Sequence, residues 1–292
     1  MSAMDFYPLQ FSPTRRCNFL RFYLQLSVFL FCTKQLDKII KALAYEIKLE
    51  LVSSFRYRFS IISDVLVFSI LMGFMLSTGT GKSLGAKYNY DNYKELFLLG
   101  YIAWSLALAG LSASTDSITT ELSRGTFYRK LNSKCPMWVL LFGELIASVV
   151  IHLIVIAVLC LLAYLVWDIT IHISAVVLLA LFINAIGMFG IGLVIAGFAI
   201  RYKRVNSLIL LFQLGLLFIT DTLPTSKLLL SITQVIPLTV CNKVIRENIA
   251  YSVTDNSFIV LLALTFLWLV VGYLLLNYHI NKAKRHGTLL FY

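Results

Sequence analysis

Charge is what this sequence has least of. Of its 292 residues only 13% are Asp, Glu, Lys or Arg, 59% are hydrophobic, and the mean hydropathy is +0.85. A soluble domain keeps about a quarter of its residues charged, so the shortfall excludes an ordinary cytosolic enzyme and a disordered chain. Cysteine is sparse too. Cys17, Cys32, Cys135, Cys160 and Cys241 stand far apart with no C-x-x-C pair, which excludes a secreted disulfide scaffold and offers no zinc-ligand spacing. H-E-x-x-H, G-x-S-x-G and clustered catalytic sets are likewise missing, so no catalytic residue, metal or resident cofactor is expected. What remains is apolar sequence in long runs. Six spanning helices of about 20 residues would occupy about 120 residues, and the expected fold is an all-α polytopic membrane protein.

The six runs are Phe59–Ser77, Leu96–Ser114, Met137–Val166, Ile171–Ile200, Val205–Thr220 and Phe258–Tyr278. The third and fourth exceed what a bilayer needs and are expected to tilt or project into the interface. The net charge of +11 is distributed as a topology signal. Of 25 Lys and Arg, nine lie in the N-terminal arm, four between spans two and three, three in Arg201–Arg204, and three in the tail. The other side holds six: Lys82, Lys87, Lys94, Lys227, Lys243 and Arg246. The positive-inside rule then puts both termini in the cytoplasm, in the cytoplasmic membrane of a bacterial cell. Short clusters between apolar runs do not form the single basic surface that nucleic acid requires; the lipid bilayer is the expected environment and nucleic acid is not a partner.

Two segments lie outside the span pattern. Residues 1–36 are an extension without a readable role, while 37–58 suit an interfacial amphipathic helix. There Ile39, Ile40, Leu43, Ile47 and Leu51 recur at helical spacing, with Lys41, Glu46, Lys48 and Glu50 assigned to other faces. Between spans five and six, Leu228–Asn242 is apolar but only 15 residues long. It is too short to cross, so 223–257 is expected to form an outer re-entrant or interfacial hairpin broken at Pro224 and Pro237. The six-span domain then covers 59–284, and 285–292 is a cytoplasmic tail.

Several residues invite a chemical reading. Gly79-Thr80-Gly81-Lys82-Ser83 looks like the end of a phosphate-binding loop, but the glycine required at position 76 is Leu76 and no strand precedes it. Asp64, Glu144 and His152 are the ionisable candidates inside spans for a proton or substrate pathway. Asp64 is about 7 Å from its helix start, within reach of headgroups. Glu144 and His152, eight residues apart, share a helix face and suit either a proton relay or a packing role. Small residues four apart (Ala109/Ala113, Gly110/Ser114, Gly192/Ala196) mark close helix contacts, within the chain or across a dimer.

The segment Asp116–Pro136, DSITTELSRGTFYRKLNSKCP, is amphipathic and cytoplasmic by the charge count, either a solvated loop or a partner-docking helix. Its Glu121-x-x-Arg124-Gly125-Thr126 run with Leu131, followed by Pro136 and a long span, resembles the cytoplasmic loop of type 2 ABC exporter permeases. The order of features is similar as well, through the basic Arg201–Arg204 loop to Ile236-Pro237-Leu238 ahead of Arg246. In this chain Phe127, Tyr128, Arg129 and Lys130 follow Gly-Thr, where that family often has acidic or neutral residues. The resemblance implies a membrane permease that exports its substrate, paired with a second identical or related chain. A separate ATPase subunit would bind ATP and Mg. It would be received by an Asp116–Leu131 helix whose coupling residues are Glu121, Arg124, Gly125, Thr126, Arg129, Lys130 and Leu131. Sparse intramembrane charge favours an amphipathic substrate: a peptide, a lipid-linked molecule or a drug-like compound. The alternatives are a self-sufficient secondary transporter, which needs deep ionisable groups and an inverted repeat, and an integral membrane enzyme, which needs a catalytic cluster.

Overall fold

The computed structural model describes residues 37–286 apart from 80, 134, 203–205 and 252–255. The expectations for 1–36, for Lys203 and Arg204, and for the end of the tail lie outside the described residues. The chain is helical: α1 (37–56), α2 (Arg58–Ser77), α3 (Lys82–Tyr88), α4 (Tyr93–Ser123), α5 (Phe127–Leu131), α6 (Met137–Trp167), α7 (Ala175–Tyr202), α8 (Asn206–Ile219), α9 (Lys227–Thr233), α10 (Pro237–Tyr251) and α11 (Ser257–His286). Five of these, α2, α4, α6, α7 and α11, are long and apolar enough to cross a membrane. The fifth expected span is instead the 14-residue α8. At 1.5 Å per residue it reaches about 21 Å, short of a hydrocarbon core of about 30 Å.

The bundle is built on α4 and α7. Nearly all of α4's apolar stretch is buried, and it packs between α6 and α7, while α11 covers the far side of α7. The small residues make this possible. A Cβ on Gly192 would sit 2.6 Å from the Leu111 carbonyl oxygen, and one on Gly110 would collide with the Ala185 carbonyl. On the other side of α7, a Cβ on Gly190 would fall 2.6 Å from the Trp268 carbonyl carbon. The four-residue spacings seen in the sequence therefore serve packing within one chain. By contrast α2 and α8 are loosely held. The Tyr101 hydroxyl of α4 donates to the Phe68 carbonyl of α2 (2.9 Å), and the Trp104 indole donates to the Gln213 carbonyl of α8 (3.2 Å).

The helices run up and down between two ends. One carries α1, α5, the start of α6 and the ends of α7 and α11; the other carries α3, α9 and α10. The α9–α10 pair occupies the stretch expected to be a hairpin. Ser226 caps α9 by accepting from the Leu229 N–H, and Pro237 is the first residue of α10, the position where its missing N–H and fixed φ do no harm. Two other expectations are corrected. Asp116–Leu131 is not one helix: α4 continues to Ser123, the chain turns at Arg124–Thr126, and α5 is a separate short helix. On α1, Glu46 and Glu50 lie on the same inward face as Leu43 and Ile47, while Ile40 is 54% exposed.

Candidate functional site

The turn between α4 and α5 follows from its sequence. Gly125 adopts φ +68°, the left-handed conformation that L side chains resist. The Thr126 N–H donates to the Glu121 carbonyl (2.9 Å) and the Gly125 N–H to the Leu122 carbonyl (3.1 Å). This pair of bonds is a Schellman cap, with Glu121 three positions before the cap residue Arg124, glycine directly after it, and Thr126 next. The spacing of Glu121, Gly125 and Thr126 is thus the spacing that ends a helix and reverses the chain in one step. The Thr126 hydroxyl adds a long bond to the Glu121 carbonyl at 3.4 Å.

Two side chains then clamp α5 onto the bundle. Phe127 is 1% exposed and joins an apolar layer with Leu122 of α4, Leu141 and Leu145 of α6, Phe189 and Leu193 of α7, and Leu276 of α11. Lys130 points inward to acids from three elements. Its ammonium pairs with Glu144 of α6, with Glu121 of α4 (2.8 Å) and with Glu46 of α1 (3.4 Å), and it donates to the Ser117 hydroxyl (3.3 Å). Burial works against the ammonium, but the Glu144 and Glu121 carboxylates outweigh it and hold its pKa above the usual lysine range. Glu50 stands at the edge of the same cluster, and burial, with Glu46 alongside, pushes its carboxyl pKa up. A glycine completes the joint, since a Cβ on Gly143 would come 2.9 Å from the Glu46 Cβ. Arg124, Gly125, Tyr128 and Arg129 are left on the outside, with Leu131 half-buried.

The opposite end holds two more buried polar groups. Glu95, fully buried, accepts from the Tyr90 hydroxyl (2.9 Å), the Asn92 amide (3.3 Å) and the His172 backbone N–H (2.7 Å), so one carboxylate joins the α3–α4 turn to the α6–α7 loop. Arg246 of α10 is also fully buried. It donates to Asp221 (2.6 Å) and to the Thr222 carbonyl (3.3 Å), and Lys87 of α3 reaches the same Asp221 oxygen at 3.0 Å. Gly100 lets α4 pass this guanidinium, because a Cβ there would be 3.0 Å from it.

The residues singled out in the sequence are divided by this arrangement. Glu121, Arg124, Gly125, Thr126, Arg129, Lys130 and Leu131 do form one corner, but Lys130 faces the bundle and not a partner. Glu144 and His152 do not come together: Glu144 is 7% exposed in the Lys130 cluster, and His152 Nδ1 lies 3.1 Å from the Ser148 carbonyl of its own helix. Glu144 instead has acidic company, since Lys130 bridges it to Glu46 and Glu121. Asp64 sits on the exposed side of α2, away from both. Pro224 precedes α9, and Arg246 anchors α10. Sequence reasoning missed Glu46, Glu95 and Asp221. For Glu46 a signal existed, because an acid four residues from another on an otherwise apolar helix face needs a buried cation.

The chain matches the ABC-2 type transporter family model over residues 43–250 and belongs to that family. It is a membrane transport permease component. Comparison with curated proteins gives no match. The matched stretch runs from the middle of α1 to the end of α10 and so includes all three polar clusters.

Proposed function

We propose that the chain is the membrane-spanning subunit of an ATP-driven exporter, acting with a second permease chain and powered by a separate ATPase subunit that docks on the α4–α5 turn. The observation that carries this reading is the construction of the corner. The turn and the five-residue α5 after it present Arg124, Gly125, Tyr128 and Arg129 to solvent, while Phe127 and Lys130 fasten them to α1, α4, α6, α7 and α11. A push delivered to that surface is received by most of the bundle at once. Conformational work by a ligand needs contacts that differ between states, and a rigid, exposed, basic turn is a suitable place to make and break them.

Counting Lys and Arg by side favours the α5 end as cytoplasmic, which leaves α3, α9 and α10 facing outward, both termini inside, and 223–257 as an outer helical pair. The substrate class favoured is an amphipathic molecule of low charge (a peptide, a lipid-linked molecule or a drug-like compound), because the long helices carry few ionisable side chains free of a partner. The test is purification of the full chain in mild detergent. An ATPase subunit is expected to co-purify, and the double charge reversal Arg124→Glu with Arg129→Glu is expected to release it without loss of membrane insertion. Labelling that places residue 124 outside the cell, or transport by this chain alone under an ion gradient, would overturn the proposal.

A further inference from the structure

Beside Arg246, between α3, α9 and α10, lies a cavity of about 360 Å³. Its polar wall includes Lys87, Asp221, Thr239, Lys243 and Glu247, and Leu230 and Val240 make an apolar side. The charges do not cancel. Asp221 already serves Arg246, which is completely buried, and Lys243 has Glu247 at 3.7 Å. Three cations therefore share two carboxylates. Of the three, only Arg246 is locked; Lys87 and Lys243 have side chains 39% and 53% exposed and hold spare N–H donors. A further donor is unspent: the Thr239 hydroxyl is on the cavity wall, 5% exposed, with no hydrogen-bond partner. An unpaired buried hydroxyl is unfavourable unless something completes it.

We infer that this cavity binds an anionic group of the phosphate class, held by Lys87, Lys243 and the Thr239 hydroxyl. Asp221 opposes an anion, and it is outweighed because Arg246 holds it from behind; Lys87 is free to leave Asp221 for the ligand without stranding the carboxylate. The apolar side of the cavity continues onto α9, where Leu228, Leu229 and Ile232 are exposed. A headgroup in the cavity with its chain along α9 would satisfy both surfaces, which makes a lipid-borne anion the fitting form. Only the assignment of the site to the outer leaflet rests on the orientation given under the proposed function; the binding does not.

The experiment uses the full chain in nanodiscs of phosphatidylcholine. Dioctanoyl phosphatidic acid, neutral dioctanoylglycerol and inorganic phosphate are titrated separately, with binding read by native mass spectrometry and thermal shift. Phosphatidic acid is expected to bind at least tenfold more tightly than dioctanoylglycerol, and Lys87→Gln and Lys243→Gln are each expected to weaken it about fivefold. Lys82→Gln, an exposed lysine outside the cavity, is the control and should change nothing. Weak binding by inorganic phosphate identifies the lipid-borne anion as ligand; equal binding identifies the free anion. No binding, equal binding by the neutral lipid, or equal loss in Lys82→Gln overturns the inference. Since the assay needs neither ATPase nor transport, its failure leaves the exporter reading standing, and failure of ATPase co-purification leaves this site standing.

Discussion

Replacing Lys130 by methionine is the sharpest single perturbation of the α5 corner. The methionine fills a similar volume but removes the cation that, among the described residues, pairs with Glu46, Glu121 and Glu144. The Glu144 side chain is 8% exposed and its Oε2 has no partner even in the intact protein, so losing Lys130 leaves a buried, unpaired carboxylate. Breaking a buried pair in this way costs about 3–5 kcal/mol, and the lower end applies here because Glu46 and Glu121 are only partly buried. A local opening easier by about 3 kcal/mol corresponds to roughly a hundredfold loss of amide exchange protection. That loss should appear in residues 126–131 and in the inward face of α1, with the centre of α7 unchanged. Adding Glu144→Gln should recover most of it. The pH dependence has a definite sign. Lys130's pKa is raised, so in the wild type its contribution is complete below the ordinary lysine value of 10.5 and is lost only as pH rises through the higher folded value. In Lys130→Met the uncompensated acids make the defect larger at pH 8 and smaller as they take up protons toward pH 5. Hydrogen exchange by mass spectrometry on the purified full chain checks all of this. If Lys130→Met loses no more protection than Arg129→Met at the exposed neighbour, the clamp is not what fixes the turn.

Gly125→Ala should destabilise the turn by about 1 kcal/mol through its left-handed backbone alone, since nothing lies within 4 Å of an added Cβ; Gly125→Pro, whose ring fixes φ about 130° away, should abolish partner-stimulated ATP hydrolysis while the protein still inserts. Gly190→Ala forces backbone against backbone between α7 and α11 and should cost at least about 1–3 kcal/mol, seen as a lower unfolding temperature, whereas Gly215→Ala in α8, with open space around it, should be neutral or slightly stabilising. Glu95→Gln keeps one acceptor oxygen and turns an amide toward donors that lose theirs. It should cost about 2–3 kcal/mol locally and raise hydrogen exchange in residues 169–174 and 90–92.

How much of this could be read from the sequence depends on whether a feature is periodic or pairwise. Hydrophobic runs fix where long helices form, because burial in an apolar medium rewards every residue of the run, and α2, α4, α6, α7 and α11 all fall where the runs predict. The end of α4 was harder to place. Ser114 is where the apolar character falls away, yet backbone bonding and Leu122 carry the helix on to Ser123, and the glycine signal at 125 marks the true stop. The corner's composition was legible as a family-like spacing around Glu121, Gly125 and Thr126. Its wiring was not, since Lys130 reads as a solvent-facing base until α1 and α6 are brought beside it. The same holds for Asp221 and Arg246, 25 residues apart in sequence and 2.6 Å apart in space, a contact no local pattern encodes.

The placement of the three polar clusters also constrains how the bundle can move. Helix α4 carries Glu95 at one end and Glu121 at the other, a distance of about 39 Å along its axis, and each carboxylate is tied to other elements. Between those ends α4 meets α7 through Gly110 and Gly192, and α7 meets α11 through Gly190, all at backbone separations that admit no added methyl group. Packed contacts of this kind are bistable or rigid; they do not stretch. Sliding within the α4–α7–α11 core would have to break many such contacts together, while α2 and α8 reach α4 through side chains: Phe68 packs against Tyr101 and Trp104, and one side-chain hydrogen bond runs to each helix, Tyr101 to Phe68 and Trp104 to Gln213. A displacement imposed at the α4–α5 turn is therefore carried by the core as one body, and the relative motion falls where the fewest contacts resist it, between that body and the two loosely held helices. Cysteine pairs linking α2 or α8 to α4 should arrest the transport cycle, and pairs linking α4 to α7 should leave it running; the opposite pattern would mean that the core itself deforms.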